Sequence, residues 1–105
     1  MDIKPFTDKP IQFIDYEGKP VGDIAALGLT NEQLIVMYRW MCFVRAVDDR
    51  GYILVRQGRA GFYAQVSGQE ASQVGSALVL TKDDWIYGDH RSQGSQMVKG
   101  LKASQ

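Results

Sequence analysis

Residues 56–94 read RQGRAGFYAQVSGQEASQVGSALVLTKDDWIYGDHRSQG, and this segment carries most of the information about the fold. Its order predicts a glycine-containing loop over 58–66, a helix from Ser67 and a short buried strand over 85–87. Ser92 is then placed to cap a third helix, with Arg91 at its start. A loop, a helix and an arginine at a helix start form a layout that is suited to holding an anion against backbone N–H groups.

The helix predicted from Ser67 has a face of small residues. Ser67 and Glu70 have the spacing of a capping box, in which each side chain accepts a hydrogen bond from a backbone N–H. Small residues then recur at three- and four-residue intervals: Gly68, Ala71, Ser72, Gly75 and Ser76. Because such a stripe lets another backbone approach closely, tight helix packing is favoured here over direct contact with a ligand.

A longer helix precedes this segment. Thr30 and Gln33 have capping-box spacing, and Gly58 ends the helical pattern after Gln57. At about 1.5 Å per residue, this helix spans on the order of 40 Å. Its apolar face is formed by Leu34, Met37, Tyr38, Met41 and Val44. The chain is therefore predicted to have an extended N-terminal arm over 1–29, with a weak strand near Ile11–Ile14, and a helical domain over 30–105.

The composition excludes several classes of function. Twelve basic residues balance twelve acidic ones, so no overall field attracts nucleic acid or an anionic membrane. The single histidine, His90, and the single cysteine, Cys42, have no partners at metal-ligand spacing, and Cys42 is expected to be a buried apolar residue. Neither a signal peptide nor an apolar run of the roughly 20 residues that a membrane span needs is visible, so cytoplasmic localisation is expected.

Three residues are candidates for binding chemistry. Arg91 offers a planar, permanently charged fork to a phosphate, although a surface ion pair with a nearby aspartate such as Asp89 is the commoner role. His90 is placed to act as an acid or base, but a lone histidine beside an arginine is more often a polar packing residue. Phe62, with Tyr63, is placed to wall an apolar pocket, and core packing is the commoner alternative.

Short motifs in a fixed order resemble one family over residues 30–100. They are Met37-Tyr38-Arg39, Arg45, Asp48 or Asp49, Arg56-Gln57-Gly58-Arg59, Gly61-Phe62-Tyr63, Gly68-Gln69-Glu70-Ala71, Val74-Gly75-Ser76-Ala77, Asp84-Trp85 and Arg91. The chain resembles the N-terminal part of the alpha subunit of the thiamine-diphosphate-dependent 2-oxo acid dehydrogenases, the decarboxylating first components of large multienzyme complexes. The Arg56–Tyr63 stretch and the arm look more like the branched-chain type than the pyruvate type.

The resemblance implies thiamine diphosphate as the cofactor and a role for each candidate. Arg91 matches the arginine that holds the diphosphate, His90 matches a cofactor-pocket position usually held by tyrosine, and Phe62 matches an aromatic residue on the substrate side. The family's magnesium-binding Gly-Asp-Gly motif does not occur in this sequence, and Gly22-Asp23 in the arm is no substitute. The cofactor-activating glutamate belongs to the beta subunit in this family. No catalytic residue and no metal ligand is therefore expected in this chain.

The expected fold is mostly α with one or two short strands, an incomplete piece of the α/β thiamine-diphosphate-binding fold. The implied function is the oxidative decarboxylation of a branched-chain 2-oxo acid, with acyl transfer to a lipoyl carrier. A pyruvate or acetoin dehydrogenase and a non-catalytic helical subunit-interaction module are the alternatives. Implied partners are the beta subunit, in a heterotetramer, and the lipoyl acyltransferase component. The chain alone is expected to be inactive, to expose apolar surface and to associate.

Overall fold

The computed structural model describes residues 10–104, which form two compact units that divide between Thr30 and Asn31. Residues 1–9 of the predicted arm, and residue 105, lie outside the described residues. The second unit contains three α-helices: α1 (Asn31–Arg56), α2 (Glu70–Leu78) and α3 (Gln93–Val98). None of the helices within the described residues is both long and apolar enough to cross a membrane.

The first unit is built from a turn and a short 3₁₀ helix. The segment Tyr16–Pro20 contains a turn, with Gly18 at a φ of +80°, a value that glycine adopts without a steric cost. The strand predicted near Ile11–Ile14 is reduced to one isolated bridge between Ile14 and Pro20. The 3₁₀ helix, Ile24–Leu27, begins where the Asp23 carboxylate accepts a hydrogen bond from the Ala26 N–H at 3.2 Å.

The long helix predicted between Thr30 and Gly58 is confirmed, and it corresponds to α1. It ends at Arg56, and Gly58 follows with a φ of +68°, while the Arg59 N–H donates to the Leu54 carbonyl at 2.9 Å. This is the glycine-terminated helix end that the sequence predicts. The face of α1 that is packed against the core consists of Val44, which is buried, and the partly buried Met37, Trp40, Met41 and Val47.

The second helix begins three residues later than predicted. The Ser67 hydroxyl donates to the Asp48 carboxylate at 2.6 Å, so the capping box with Glu70 does not form. The buried face of α2 consists of Glu70, Gln73, Val74 and Ala77. The stripe of small residues is therefore not the main packing face: Ala71, Ser72 and Ser76 are exposed, and Gly75 lies near Met37 of α1.

The predicted buried strand over 85–87 is wrong. The side chains of Trp85 and Tyr87 are 95% and 105% exposed, and within the described residues this segment belongs to no strand. A strand requires a neighbouring chain to pair with its backbone groups, and apolar composition alone does not supply one. The regular structure of the described residues is therefore helical, as expected, with the isolated bridge as its only β-type pairing.

The core is small and leaves much apolar surface exposed. Its buried hydrophobic residues are Val44, Val66, Val74, Ala77 and Met97. Exposed large hydrophobics include Leu34, Ile35, Phe43 and Ile53 on α1. Cys42 is also exposed, against expectation, because it lies on the side of α1 opposite Val44 and Val47. The expected apolar surface is present, and the association that it favours stays a prediction.

Gly51 is the point at which the Tyr63 ring lies against α1. A Cβ atom at Gly51 would lie 2.7 Å from that ring, whereas one at Gly75 in α2 would lie 3.8 Å from the Met37 methyl group. We expect Gly51→Ala to lower the stability of α1 by about 1–3 kcal/mol, because overpacking outweighs the gain in helix propensity of about 1 kcal/mol. The matched Gly75→Ala should be neutral or stabilising. Native-state hydrogen exchange of the α1 amides measures both, and greater protection in Gly51→Ala would contradict the contact.

Candidate functional site

Arg91 is half-buried, and its side chain is fixed by the loop that precedes α2. The Arg91 Nε donates a hydrogen bond to the Gln65 carbonyl at 2.9 Å. No carboxylate within residues 10–104 forms an ion pair with its guanidinium. The Asp89 carboxylate instead accepts the Arg91 backbone N–H at 2.9 Å. The surface ion pair considered as the alternative is therefore not formed in the described part of the chain.

A second bond joins the same two segments. The Gln93 Nε2 donates to the Ala64 carbonyl at 2.7 Å, next to the bond between Arg91 and Gln65. Phe62 lies two residues before Ala64 on this loop and is 77% exposed, so it is not a core residue. His90 is also exposed. The structure thus brings the segment that carries His90 and Arg91 against the loop that carries Phe62, and it leaves all three side chains accessible.

The loop is anchored to α1 by a buried carboxylate. Asp48 has no exposed surface, and it accepts hydrogen bonds from the Val66 N–H (2.7 Å), the Ser67 N–H (3.1 Å) and the Ser67 hydroxyl (2.6 Å). Burial raises the pKa of Asp48, but the hydrogen bonds that the carboxylate accepts, led by those from the Ser67 hydroxyl and the Val66 N–H, lower it more, so the pKa lies below the ordinary value. The carboxylate is therefore ionised at neutral pH and fixes the end of the loop.

Tyr63 packs beside this anchor. Its hydroxyl is buried and forms no hydrogen bond with the described residues by geometry, although it lies close to Asp48 and Gln93. Burial raises the pKa of Tyr63, and the neighbouring Asp48 carboxylate acts in the same direction. Tyr63 is therefore a neutral wall of the loop rather than a second aromatic face beside Phe62.

The start of α2 is held by an ion pair to α1. The Arg45 Nε pairs with the buried Glu70 carboxylate, whose other oxygen accepts the Gly68 N–H at 2.9 Å. The Arg45 side chain is the largest cause of the lowered pKa of Glu70. Arg45 and Asp49 have the four-residue spacing of a pair within α1, but Arg45 pairs with Glu70 instead. Glu70 is thus a structural carboxylate, as the sequence indicates.

Gln73 joins α2 to the segment that carries Arg91. Its Nε2 donates to the Arg91 carbonyl at 2.6 Å, and its Oε1 accepts the Gly94 N–H at 2.9 Å. The helix start beside Arg91 is consequently weaker as an anion site than the sequence predicts. One of its N–H groups is already bonded to Gln73, and α3 is only six residues long. The guanidinium of Arg91 is the main anion-binding group that remains.

Sequence reasoning had not assigned roles to Asp48 and Gln73. Asp48 appears in the sequence as one of two adjacent acids on a helix surface, and only Val44, which lies one turn earlier on the apolar face, indicates that it points inward. The sequence does not indicate that Gln73 is buried, because a glutamine in a helix ordinarily faces solvent. Its role depends on a contact with a segment 18 residues later.

Three concavities among the described residues lie elsewhere. One of about 470 Å³ lies between α1 and the start of α2, beside Tyr38, Cys42 and Glu70, and another of about 380 Å³ lies beside Gly51 and Tyr63. A third, of about 300 Å³, follows α1 beside Trp40 and Phe43. None of the three is lined by Arg91, His90 or Phe62. A small-molecule site at Arg91 therefore needs further walls, because such sites enclose most of their ligand.

The donor groups at this surface fit one end of a phosphorylated cofactor. A guanidinium with unpaired terminal nitrogens and an exposed imidazole are both donors to anionic oxygens. A metal ion is not matched, since the described residues contain no cluster of three or more histidine, cysteine, aspartate or glutamate side chains that could hold one. The chemistry of these residues thus fits a diphosphate group. The described residues offer no cluster of ligands for a metal ion bound to that diphosphate.

Comparison with known proteins gives a consistent family. Residues 38–105 match the family profile described as dehydrogenase E1 component. The pyruvate dehydrogenase E1 component subunit alpha of Staphylococcus aureus (strain Mu50) is 40% identical over 91 residues, which cover 87% of this chain and 25% of that protein. The protein of the same name from Bacillus subtilis (strain 168) is 39% identical over 90 residues, covering 86% of this chain and 24% of the relative.

A third relative, from Staphylococcus epidermidis and of the same name, is 41% identical over 91 residues, covering 87% of this chain and 25% of the relative. The chain spans about a quarter of the length of the curated relatives that it matches. No solved structure matches it significantly.

Proposed function

We propose, because this chain belongs to the dehydrogenase E1 component family, that it contributes part of the alpha subunit of a thiamine-diphosphate-dependent pyruvate dehydrogenase. The observation that carries the proposal is the family match over residues 38–105, which contains every candidate site residue. The enzyme that contains this segment would decarboxylate a 2-oxo acid and pass the acyl group to a lipoyl carrier.

Pyruvate is the substrate that the relatives support. All three relatives described above are named as pyruvate dehydrogenase components, and none is of the branched-chain type. The branched-chain substrate favoured by the Arg56–Tyr63 stretch therefore becomes the second choice. That stretch begins at Arg56, the last residue of α1, and Tyr63 at its end packs against Gly51, so these two residues have structural roles.

The proposed part of Arg91 is to hold the cofactor's diphosphate through its two terminal nitrogens. Its Nε is already bonded to Gln65, so the side chain is oriented before any ligand arrives. His90 is placed to donate a further hydrogen bond, and the exposed Phe62 to form an apolar wall on the substrate side. Bound thiamine diphosphate supplies the carbanion chemistry, while these residues supply position and charge.

The exposed aromatic surface supports the proposed partners. Trp85 and Tyr87 are almost fully exposed and lie in the segment that leads to Arg91. Large aromatic side chains are enriched in the buried centres of interfaces. We infer that this surface is covered in the complete enzyme, by the remainder of the α/β cofactor-binding fold or by the beta subunit. The lipoyl acyltransferase is the proposed acceptor of the acyl group.

The substrate is tested in the complete assembly that contains this chain. We expect kcat/KM for decarboxylation to be at least about tenfold higher with pyruvate than with 3-methyl-2-oxobutanoate, since a pocket discriminates additional methyl groups by roughly 1–3 kcal/mol. Activity should require added thiamine diphosphate. A preference for the branched substrate would restore the branched-chain assignment. Absence of activity with both substrates, together with unimpaired binding of a beta subunit, would favour the interaction module instead.

A further inference from the structure

We propose that Gln73 is a positioning residue for Arg91, which it holds at the angle needed to meet a diphosphate. This inference rests on the proposed role of Arg91 in binding the cofactor. Gln73 lies on the buried face of α2 and is only 9% exposed, so it does not itself reach a ligand at the surface. Its effect on the cofactor would pass through the backbone of residues 91–94.

Both ends of the Gln73 amide are used. The Nε2 donates to the Arg91 carbonyl at 2.6 Å, and the Oε1 accepts the Gly94 N–H at 2.9 Å. The Ser95 hydroxyl adds a bond to the Gln73 carbonyl at 3.2 Å. The Gln73 side chain thus fixes two places in the backbone. Its donor holds the Arg91 carbonyl, and its acceptor holds the Gly94 N–H in the first turn of α3.

The local packing accepts glutamine because position 94 is glycine. A Cβ atom on Gly94 would lie 2.6 Å from the Gln73 Oε1 and 3.2 Å from the Val44 Cγ1, so a larger residue there would displace the amide. Glutamate at position 73 could not donate to the Arg91 carbonyl. Methionine has a similar length and volume, yet it cannot donate to the Arg91 carbonyl, and its thioether is only a weak acceptor for the Gly94 N–H.

Arg91 is therefore restrained at two points. Gln73 holds its backbone from the α2 side, and the Gln65 carbonyl holds its Nε from the loop side. With both restraints in place, the terminal nitrogens are presented in one direction, and little conformational entropy is lost when an anion binds. Loss of the Gln73 bonds would leave Arg91 charged and present but less well oriented.

The test compares ligands that do and do not contain the diphosphate group. In the assembled enzyme, Gln73→Met is expected to weaken the binding of thiamine diphosphate and of inorganic pyrophosphate by about tenfold, or about 1.4 kcal/mol. Binding of thiamine, which lacks the anion, should stay within twofold. Ser72→Ala is the matched control: this exposed neighbour on α2 bonds only to the Gln69 carbonyl, and all three affinities should be unchanged.

A double variant separates positioning from a general structural effect. In an Arg91→Ala background, Gln73→Met should cause no further loss of pyrophosphate affinity, because its effect passes through Arg91. Full additivity, an equal loss of thiamine binding, or unchanged pyrophosphate binding in Gln73→Met would each overturn the inference. Should Arg91→Ala itself leave pyrophosphate binding intact, the proposed role of Arg91 fails and this inference fails with it.

Hydrogen exchange provides a readout that does not depend on the cofactor. The Gly94 amide should exchange faster in Gln73→Met than in the wild type or in Ser72→Ala, while the α1 amides keep their protection. Protection of Gly94 that survives the substitution would contradict the Gln73 bond. Loss of protection throughout α1 would show that Gln73 supports the whole core rather than the Arg91 segment, and that result would also overturn the inference.

Discussion

Arg91→Ala is expected to lower the affinity of the assembled enzyme for thiamine diphosphate by about 100-fold. The terminal nitrogens of Arg91 have no carboxylate partner in the described residues, and its Nε is held by Gln65. Two charge-assisted hydrogen bonds to a diphosphate at about 1.5 kcal/mol each give about 3 kcal/mol, or roughly that factor. Isothermal titration with thiamine diphosphate measures the change.

Two further variants make the Arg91 result specific. Arg91→Lys keeps the charge but loses the fork and the Nε bond to Gln65, so it should recover only part of the affinity. Arg56→Ala removes an exposed arginine that lies over the Tyr52 ring, 5.8 Å from its centroid, and it should bind the cofactor like the wild type. Wild-type affinity in Arg91→Ala, or equal losses in Arg91→Ala and Arg56→Ala, would remove Arg91 from the site.

Asp48→Ala is expected to produce the largest loss of stability, about 3 kcal/mol. The substitution leaves two N–H groups and one hydroxyl without their acceptor, and the Val66 N–H among them is fully buried. The loop that carries Phe62 and Gln65 would then lose its attachment to α1. Hydrogen exchange at Val66 and in α1 measures the loss. Asp49→Ala, the exposed neighbour, should change stability by less than about 0.5 kcal/mol, and equal effects of the two would contradict the buried anchor.

The lowered pKa of Asp48 predicts that the stability of the fold depends on pH. The folded-state pKa of Asp48 lies below the ordinary value, so its contribution is present above the unfolded pKa of about 3.9 and is lost as the pH falls through the folded pKa. The difference in stability between the wild type and Asp48→Asn should therefore be constant from pH 7 to 5 and should shrink below pH 4. A difference that grows on acidification would contradict the lowered pKa.

The C-terminal end of α1 and the helical class were predictable because their causes are local. Gly58 at a positive φ after Arg56 is a signal contained within a few residues, and the structure follows it. The start of α2 was not predictable, because Ser67 bonds to Asp48 on another helix instead of capping its own. The strand over 85–87 failed for a related reason: its apolar residues suit a strand, but pairing depends on a neighbour.

The residues of the candidate site remain a prediction, and the groups that support them were not foreseen from the sequence. Arg91, His90 and Phe62 were chosen from residue chemistry and position, the resemblance of short motifs assigned each a role, and the structure leaves all three side chains accessible. The groups that hold them, Asp48 and Gln73, act through contacts between segments 18 to 22 residues apart. Neither composition nor helical periodicity records such contacts, because periodicity reports which face is buried and not what a polar side chain on that face will meet.

The central claim is that Arg91, oriented by the loop and by α2, meets the diphosphate of thiamine diphosphate. An experimental structure of the complete assembly with the cofactor bound tests it most directly. We expect the terminal nitrogens of Arg91 at about 2.7–2.9 Å from diphosphate oxygens, with the Nε still on the Gln65 carbonyl. A diphosphate held by other groups, with the Arg91 guanidinium turned to solvent or paired with a carboxylate, would contradict the claim.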